Sequence, residues 1–510
     1  MYHLNQQEWD RLKPVPTLKS EYIMKPKEFS LTYCNPIPLP DYPRGRMCRP
    51  EFDSKSGWLN NGMWHDFRET ADPSVLYHDN KWFLYPSAGM AWVSEDFVTW
   101  KHVEMNLYDI GYAPTIMKHR GLFYLNASDS NKSMMYVSKN PLGPWKEVGP
   151  VTGIDGKIPP GYWDPMFFSD DDDRVYLYYG CGGTAIRGLE MNSDKPNMAL
   201  TEPKKMFSYN PNHEWERFGE FNQDPSRSWV EGAWMFKNKD TYYLTYCAPG
   251  TQFATYGMGC YISKSPLGPF KYQKLNPILR RTDGLVRGPG HGCIVRGPKN
   301  TIWAFYTCLR CYYHVFERRI GFDPAGFDSE GNLFVHTATD IPQWAPGILR
   351  NPQNGNDTGL KPVSICHPVK ASSEAPGRPS SYANDYSMRT WWEADKKDSK
   401  PWIEIDLGAR FTVSSMRIIW AEPNLDYKKV PPGPFKFKVE CKETDDGKWK
   451  ILVDKSRNLT DMHIDYITFS PKKAKAVSLS ILGAPKGIGI GIVDFSVFGT
   501  GEMPPLGKYG

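Results

Sequence analysis

The chain has 510 residues, which exceeds the size of one ordinary hydrophobic core and predicts two domains. Apolar residues make up 40% of the chain and charged residues 23%, a balance that excludes an intrinsically disordered protein. The net charge is only +5, and no block of Lys or Arg occurs, so the chain lacks the footprint of a nucleic-acid-binding protein and favours a small neutral substrate.

The N-terminus and the cysteines carry no strong signal. Residues 1–29 are predicted to be an N-terminal extension, without the basic segment and apolar core of a signal peptide. No stretch approaches the roughly 18 apolar residues of a membrane span. The ten cysteines are scattered, so most are expected to be buried thiols. Cys308 and Cys311 form a lone CxxC pair, which supplies too few ligands for a zinc site.

Five similar segments predict the architecture of the first domain. Each consists of an apolar run, a polar turn and an aromatic run, as expected of a β-hairpin. They occupy 74–87, 115–128, 166–180, 234–247 and 293–307. A second hairpin follows three of them, at 90–103, 135–148 and 260–273. Four strands in each of five repeats predict an all-β fold, a five-bladed β-propeller over residues 30–340.

Proline and glycine crowd residues 342–362, so 341–365 is predicted to be a linker or a segment that covers the domain boundary. Residues 366–510 follow, with alternating apolar and polar positions such as those at 435–439 that predict a β-sandwich.

The second domain resembles the discoidin, or coagulation factor type C, fold, a jelly-roll of the galactose-binding kind used by family 32 carbohydrate-binding modules. The resemblance rests on PWIEIDLG at 401–408 and VSSMRIIWAE at 413–422, among other segments. It implies that Trp391, Trp392 or Trp420 could be a platform for sugar, although the same side chains could belong to the core.

The first domain resembles glycoside hydrolase family 43, with one short motif at the start of each repeat. Asn35-Pro36-Ile37 precedes the repeats, and the motifs are Ala71-Asp72-Pro73, Ala113-Pro114-Thr115, Trp163-Asp164-Pro165, Val230-Glu231-Gly232 and Gly288-Pro289-Gly290-His291-Gly292. Residues 38–71 form an insertion relative to the family pattern. The resemblance implies an inverting glycoside hydrolase.

Three acids are the candidate catalytic groups. Asp72, Asp164 and Glu231 stand at the starts of inner strands of different blades, which converge on the propeller axis. Inverting hydrolysis needs a carboxylate that activates water and a carboxylic acid that protonates the leaving oxygen, about 6.5–9.5 Å apart. The resemblance implies that Asp72 is the base, that Glu231 is the acid and that Asp164 helps Glu231 to hold its proton. Asp before Pro also caps turns, which is the competing interpretation for Asp72 and Asp164.

Further residues are candidates for the metal and the substrate. The resemblance implies that His291 lies at the channel axis, where it holds a calcium ion or its water shell, although a lone His is commonly a core residue. It also implies that Arg318 binds sugar hydroxyls, with Arg319 as the rival in register. Trp92 and Phe253 are candidate pocket walls, though aromatic residues in strands usually pack.

We therefore expect an enzyme that removes terminal sugars from plant-type polysaccharides, with no cofactor required for the chemistry. An α-L-arabinofuranosidase is favoured on family frequency, and a β-xylosidase or a galactan-degrading β-galactosidase is the alternative. A non-catalytic glycan-binding propeller would retain the fold but lose an acid. An invertase-like propeller usually has Cys after its acid, where this chain has Gly232. The protein is expected to be a periplasmic or extracellular monomer whose partner is an oligo- or polysaccharide.

Overall fold

The computed structural model describes residues 31–42, 67–96, 98–107, 110–128, 133–310, 316–426 and 429–501. The predicted N-terminal extension and much of the insertion, 43–66, lie outside these ranges. Within them we find strands and short 3-10 helices but no α-helix. The 3-10 helices span Glu214–Glu216, Pro298–Asn300, Pro352–Asn354 and Ser380–Ala383. No helix in the described part of the chain has the length and apolar character to cross a membrane.

The predicted five-bladed propeller is confirmed by five separate antiparallel sheets in chain order. Strand β1 spans Thr32–Tyr33 and precedes them. Blade one contains β2 Ser74–His78, β3 Lys81–Tyr85, β4 Trp92–Ser94 and β5 Lys101–His102. Blade two contains β6 Tyr112–His119, β7 Leu122–Ser128, β8 Met134–Ser138 and β9 Lys146–Pro150. Blade three contains β10 Met166–Ser169, β11 Val175–Tyr179, β12 Ile186–Met191 and β13 Lys204–Phe207.

The last two blades complete the ring. Blade four contains β14 Glu231–Asn238, β15 Thr241–Ala248, β16 Gly257–Ser263 and β17 Lys271–Tyr272, and β18 Leu279–Arg280 also pairs with β16. Blade five contains β19 Arg287–Arg296, β20 Ile302–Leu309, β21 Arg318–Phe327 and β22 Leu333–Val335. Each inner strand contacts that of the next blade, and β19 contacts β2, which closes the ring.

The hairpin of blade one shows why these sequences form strands and turns. Asp79 and Asn80 between β2 and β3 have φ angles of 50° and 58°, as a two-residue turn of type I′ requires. The side chains of β3 are buried from Trp82 to Tyr85, because this strand lies inside the blade with neighbours on both faces. Strand β11 is buried along its whole length for the same reason.

The predicted β-sandwich is also confirmed, and its strands form one continuous hydrogen-bonded network. Strand β23, Gln343–Trp344, precedes it. The strands are β24 Lys361–Pro362, β25 Val369–Ala371, β26 Trp392–Glu393, β27 Trp402–Ala421, β28 Lys436–Lys442, β29 Lys450–Asp454, β30 Ile464–Gly483 and β31 Gly491–Thr500. Their order is β24-β31-β27-β30-β28-β29, and register shifts within β27 bend this long strand.

The three tryptophans proposed as sugar platforms are buried in this domain. Trp392 and Trp420 are fully buried, and Trp391 is 4% exposed. Trp420 stacks on Phe435 with ring centroids 4.2 Å apart. The expectation that one of them presents a sugar platform is therefore wrong, because a stacking residue must expose a ring face.

The predicted linker, 341–365, is built into both domains. Strand β23 pairs with β1 beside the propeller, and β24 pairs with β31 of the sandwich. Strand pairing therefore ties this segment to the start of the propeller at one end and to the sandwich at the other.

Buried charges join the domains on one side of the propeller. Arg68, which precedes blade one, donates to Glu422 at 2.9 Å and to Asp461 at 2.8 and 2.9 Å. Arg310, which directly follows β20 of blade five, donates to His463 and, at 2.9 Å, to the carbonyl of Trp420. Because these groups are buried, Arg68 depends on the sandwich for its acidic partners, whereas Arg310 also pairs with Glu317 of the propeller at 3.3 Å.

A second group of contacts involves Arg417 of β27. Its Nη1 donates to the carbonyls of Asn35 and Asp340, each at 2.7 Å, while its Nε donates to Asp494 at 2.9 Å. This side chain is fully buried. The sandwich therefore inserts a cation between the segments that lead into and out of the propeller.

Candidate active site

One residue with a left-handed backbone stands at the start of each inner strand. Asp72, Ala113, Asp164, Gly232 and Gly288 have φ angles of 52°, 50°, 49°, 65° and 56°. Residues other than glycine rarely adopt this conformation, although Asp tolerates it better than most. The shared turn brings equivalent positions of the blades to the same end of the ring, where three of the five carry no functional side chain.

Hydroxyl groups hold this turn in three of the blades. The N–H groups of Asp72, Ala113 and Asp164 donate to Thr307 Oγ1 at 2.7 Å, Ser87 Oγ at 3.1 Å and Ser128 Oγ at 2.6 Å. In each case the hydroxyl belongs to the second strand of the preceding blade or follows it directly. Neighbouring blades therefore fix the backbone from which each acid projects.

Asp72 lies among donors that stabilise its charged form. Ser87 Oγ donates to Oδ2 at 2.8 Å, Arg318 Nη1 donates to Oδ1 at 3.2 Å, and His291 Nδ1 lies 3.4 Å from Oδ1. Burial would raise the pKa of Asp72, but Arg318, His291 and the hydroxyl groups together hold that pKa below its usual value. The carboxylate is therefore ionised at neutral pH, as a general base must be.

Asp164 has the opposite electrostatic character. Its Oδ2 accepts the N–H of Gly232 at 3.2 Å and lies 3.7 Å from His291 Nδ1. Burial raises its pKa to about 7; His291 opposes this rise, whereas Glu231 and Asp72 add to it. Asp164 can therefore change its charge near neutral pH beside the other two acids.

Glu231 begins β14 and is held by two aromatic donors. Tyr256 donates to Oε1 at 2.6 Å, and Trp229 Nε1 donates to Oε2 at 2.8 Å. Oxygen atoms of Glu231 and Asp164 and the sulfur of Cys181 lie within 4.8 Å of one another. The three acids thus occupy one pocket, with Asp164 next to Glu231 and His291 between Asp164 and Asp72.

The protein atoms around His291 are a poor match for calcium. Calcium takes about six to eight oxygen ligands, whereas Nδ1 of His291 faces only the carboxylates of Asp72 and Asp164, which other groups already bind. The cluster that includes Cys181 fits no better, because burial raises the pKa of this thiol and keeps it protonated. The described protein atoms could hold calcium only if many waters supplied the remaining ligands, so a calcium ion at His291 stays a prediction.

The structure separates the two rival arginines. Arg318 binds Asp72, and its guanidinium also binds Glu69 and donates to Thr251 at 3.3 Å. Arg319, the next residue of β21, donates to the carbonyl of Arg68 at 2.5 Å and to His463 of the other domain. Successive side chains of a strand point to opposite faces, so only Arg318 faces the acids.

The two predicted pocket walls have different positions. Trp92 is fully buried and donates to the carbonyl of Pro40 at 2.8 Å, so it packs in the core and cannot touch a sugar. Phe253 is partly exposed on the 249–256 loop, which carries Thr251 toward Arg318, and its ring packs edge-on against Phe218 at 4.7 Å. Phe253 therefore stays a candidate, whereas Trp92 does not.

Exposed aromatic side chains beside the acids are better candidates for the wall. Trp163 precedes Asp164 and is 45% exposed, and Trp229, which binds Glu231, is 40% exposed. Tyr112 is 41% exposed and lies beneath the Arg318 guanidinium, 5.9 Å from its ring centroid. Sequence reasoning missed these three residues, although each lies within two positions of a motif that it had identified.

Sequence reasoning also missed the groups that hold the acids. Glu69 is buried, binds Arg318 and accepts a hydrogen bond from Tyr112 at 3.2 Å. Ser87 and Tyr256 bind Asp72 and Glu231 as described above. Only Glu69 carried a visible signal, as a charge close before Asp72; the hydroxyl groups could not be distinguished from other strand residues.

Comparison with known proteins gives matches for both domains. The family model "Glycosyl hydrolases family 43" matches residues 67–333, and "F5/8 type C domain" matches residues 368–493. Beta-D-galactofuranosidase xynD of Aspergillus niger is 24% identical over 50% of this chain and 75% of its own length. Extracellular exo-alpha-(1->5)-L-arabinofuranosidase ArbA of Cellvibrio japonicus is 24% identical over 45% and 72%. Beta-xylosidase of Xylanibacter ruminicola is 26% identical over 58% and 90%.

Proposed function

Because the chain belongs to glycosyl hydrolases family 43, whose members hydrolyse glycosidic bonds with inversion, we propose that it is an exo-acting α-L-arabinofuranosidase that removes terminal sugars from plant-type polysaccharides. The catalytic part of this proposal rests on one observation: an ionised Asp72 lies in one group with Asp164 and Glu231. Two of the three relatives described above are named for furanosides, which supports the choice of sugar.

Asp72 is the general base of this proposal. Its ionised carboxylate accepts a proton from the water that attacks the anomeric carbon, while Arg318 and Ser87 keep its charge and orientation. The water oxygen forms the new bond to carbon, and the bond to the leaving oxygen breaks.

Glu231 is the general acid. It gives its proton to the leaving oxygen, and Tyr256 and Trp229 hold its two carboxyl oxygens in place. Asp164 is a positioning residue: when ionised, its negative charge disfavours a second charge on Glu231 and so helps Glu231 to retain its proton. The hydrolysed sugar leaves with inverted configuration.

The substrate is tested with aryl glycosides of α-L-arabinofuranose, β-D-xylopyranose and β-D-galactofuranose, followed by arabinan and arabinoxylan. We expect the arabinofuranoside to give the highest kcat/KM and free arabinose to be the product from the polymers. The relative named as a β-xylosidase makes xylosidase activity the second candidate. A higher kcat/KM on the xyloside would reject the first choice in favour of the second.

The catalytic assignment is tested with Asp72→Asn and Glu231→Gln. Each is expected to lower kcat on arabinan by about 10²–10⁴-fold, and Glu231→Gln is expected to recover on substrates with good leaving groups. Glu95→Gln, at an exposed carboxylate that pairs with Lys81 on blade one, is the matched control. Near-normal turnover by either catalytic variant would contradict the roles, and no turnover by the wild-type protein on any substrate would favour a glycan-binding propeller.

We further propose that the protein acts outside the cytoplasm as a monomer. The relative ArbA is named as extracellular, which supports the location. The measurements are fractionation of the native cells and sedimentation of the purified protein, and a cytoplasmic pool or a stable oligomer would reject the corresponding part.

A further inference from the structure

A large cleft lies between the propeller and the C-terminal domain, beside the candidate active site. Its volume is about 1230 Å³, and its walls come from residues 214–222 and 280–287 of the propeller and from 386–389 of the sandwich domain. Ala254 and Thr255 of the 249–256 loop also line it.

The 249–256 loop belongs to both the cleft and the active site. Thr251 accepts a hydrogen bond from Arg318, and Tyr256 donates to Glu231, whereas Ala254 donates its N–H to Glu220 of the cleft at 3.0 Å. The same loop therefore contacts both the residues that hold the acids and the residues that line the cleft.

Arginine dominates the charge of the cleft. The lining arginines are Arg217, Arg280, Arg281, Arg287 and Arg389, against the acids Glu214, Glu220 and Asp283. The buried Asp340 behind the lining neutralises Arg281 at 2.6 Å. Arg287 and Arg389 share a single oxygen of Glu220, at 3.3 and 3.0 Å, and Arg280 donates to the neutral Asn222 at 2.5 Å. The described lining residues therefore carry five positive and three negative side chains, and Asp340 behind them adds a fourth negative charge.

An aromatic ring stands at the same place. Phe221 follows Glu220 directly, lines the cleft and is 85% exposed. A phenyl ring so exposed gains little from packing within the protein, and its face suits stacking against the apolar face of a sugar ring.

We propose that this cleft binds a uronic acid unit of the polysaccharide, with its carboxylate on the arginines around Glu220 and its ring on Phe221. Guanidinium groups bind carboxylates through paired, charge-assisted hydrogen bonds, which matches this anion better than any neutral sugar. The activity on such a polymer rests on the proposed function, whereas binding in the cleft does not require cleavage.

The test is isothermal titration of the full-length protein with trigalacturonic acid, with its methyl ester, and with a sulfated trisaccharide. We expect the acid to bind at least about tenfold more tightly than the uncharged ester, since hydrogen bonds to charged groups are the stronger ones. Binding of the acid is expected to weaken as the salt concentration rises.

Arg389→Gln and Phe221→Ala are each expected to weaken binding of trigalacturonic acid by about tenfold. Arg410→Gln is the matched control, because Arg410 and Arg389 are 58% and 59% exposed and each binds one glutamate at 3.0 Å. We expect the control to bind like the wild-type protein.

Equal affinity for the acid and its ester would overturn the proposal, as would unchanged binding by Arg389→Gln or tighter binding of the sulfated sugar. Hydrolysis of aryl glycosides, which are too small to reach the cleft, tests the proposed function separately. If the protein hydrolyses aryl glycosides but does not bind trigalacturonic acid, only the proposed binding of a uronic acid in the cleft is refuted.

Discussion

Replacing Arg318 with glutamine is expected to move the acid limb of the kcat/KM–pH profile to higher pH. The guanidinium lies 3.2 Å from Asp72 and is the main group that lowers the pKa of this carboxyl against the effect of burial. A base works only when ionised, so activity falls as the pH drops through its pKa. Raising that pKa makes the loss begin at a higher pH.

The size of the shift follows from the distance. Two unit charges 3.2 Å apart interact by about 5 kcal/mol at an effective dielectric constant of about 20. At about 1.4 kcal/mol for each pKa unit, this sets an upper bound of roughly four units. Because His291 and Ser87 stay in place, we expect a shift of about one to three units.

Two further variants separate charge from folding. Arg318→Lys keeps the charge, so its acid limb is expected to stay closer to that of the wild-type protein. Arg318→Gln leaves Glu69 as a buried charge without its guanidinium, at a cost of about 3–5 kcal/mol in the free energy of unfolding. Glu69→Gln with Arg318→Gln removes both charges, and calorimetry checks that it folds. If this folded double variant keeps the wild-type acid limb, the reasoning is refuted.

Three other predictions concern the same pocket. Asp164→Asn is expected to change the kcat/KM–pH profile around pH 7, because burial raises the pKa of Asp164 to about 7 and the amide does not titrate; an unchanged profile would show that the charge of Asp164 does not affect the reaction. Gly232→Ala places a Cβ 3.0 Å from His291 at a φ of +65°. It is expected to lower the free energy of unfolding by about 1–2 kcal/mol and to lower Tm in calorimetry. A Tm equal to that of the wild-type protein would contradict this strain. EDTA is expected to lower Tm and kcat if calcium binds at His291, and added calcium to restore both; identical values with and without EDTA would reject the ion.

The blades could be predicted from sequence because they depend on local patterns, whereas the three acids were proposed because their motifs resemble those of family 43. An apolar run and an aromatic run with Asp79-Asn80 between them specify a hairpin without reference to the rest of the chain. The motif around Asp72 was visible for the same reason. These features need only a few neighbouring residues.

The supporting residues could not be predicted because they depend on which strands become neighbours. Ser87 binds the N–H of Ala113 in the next blade, and Thr307 binds that of Asp72 across the closure of the ring. Trp92 was misplaced because its composition suits either a pocket wall or a core, and only burial distinguishes them. The run of four aspartates at the tip of the blade-three hairpin shows the same limit, because Asp170 is buried and accepts a hydrogen bond from Tyr242 of blade four, whereas Asp172 is exposed.

Arg318 and Arg319 link the group of acids to the second domain. Arg318 binds Asp72 among the acids, and Arg319 binds His463 of the sandwich. The same strand is therefore held both by the acids and by the second domain. Removal of the sandwich would take away both acids that pair with Arg68, whereas Arg310 would lose His463 and the carbonyl of Trp420 but keep Glu317. The propeller alone is therefore expected to be less stable than the two-domain protein, because Arg68 would remain as a buried charge without its acids.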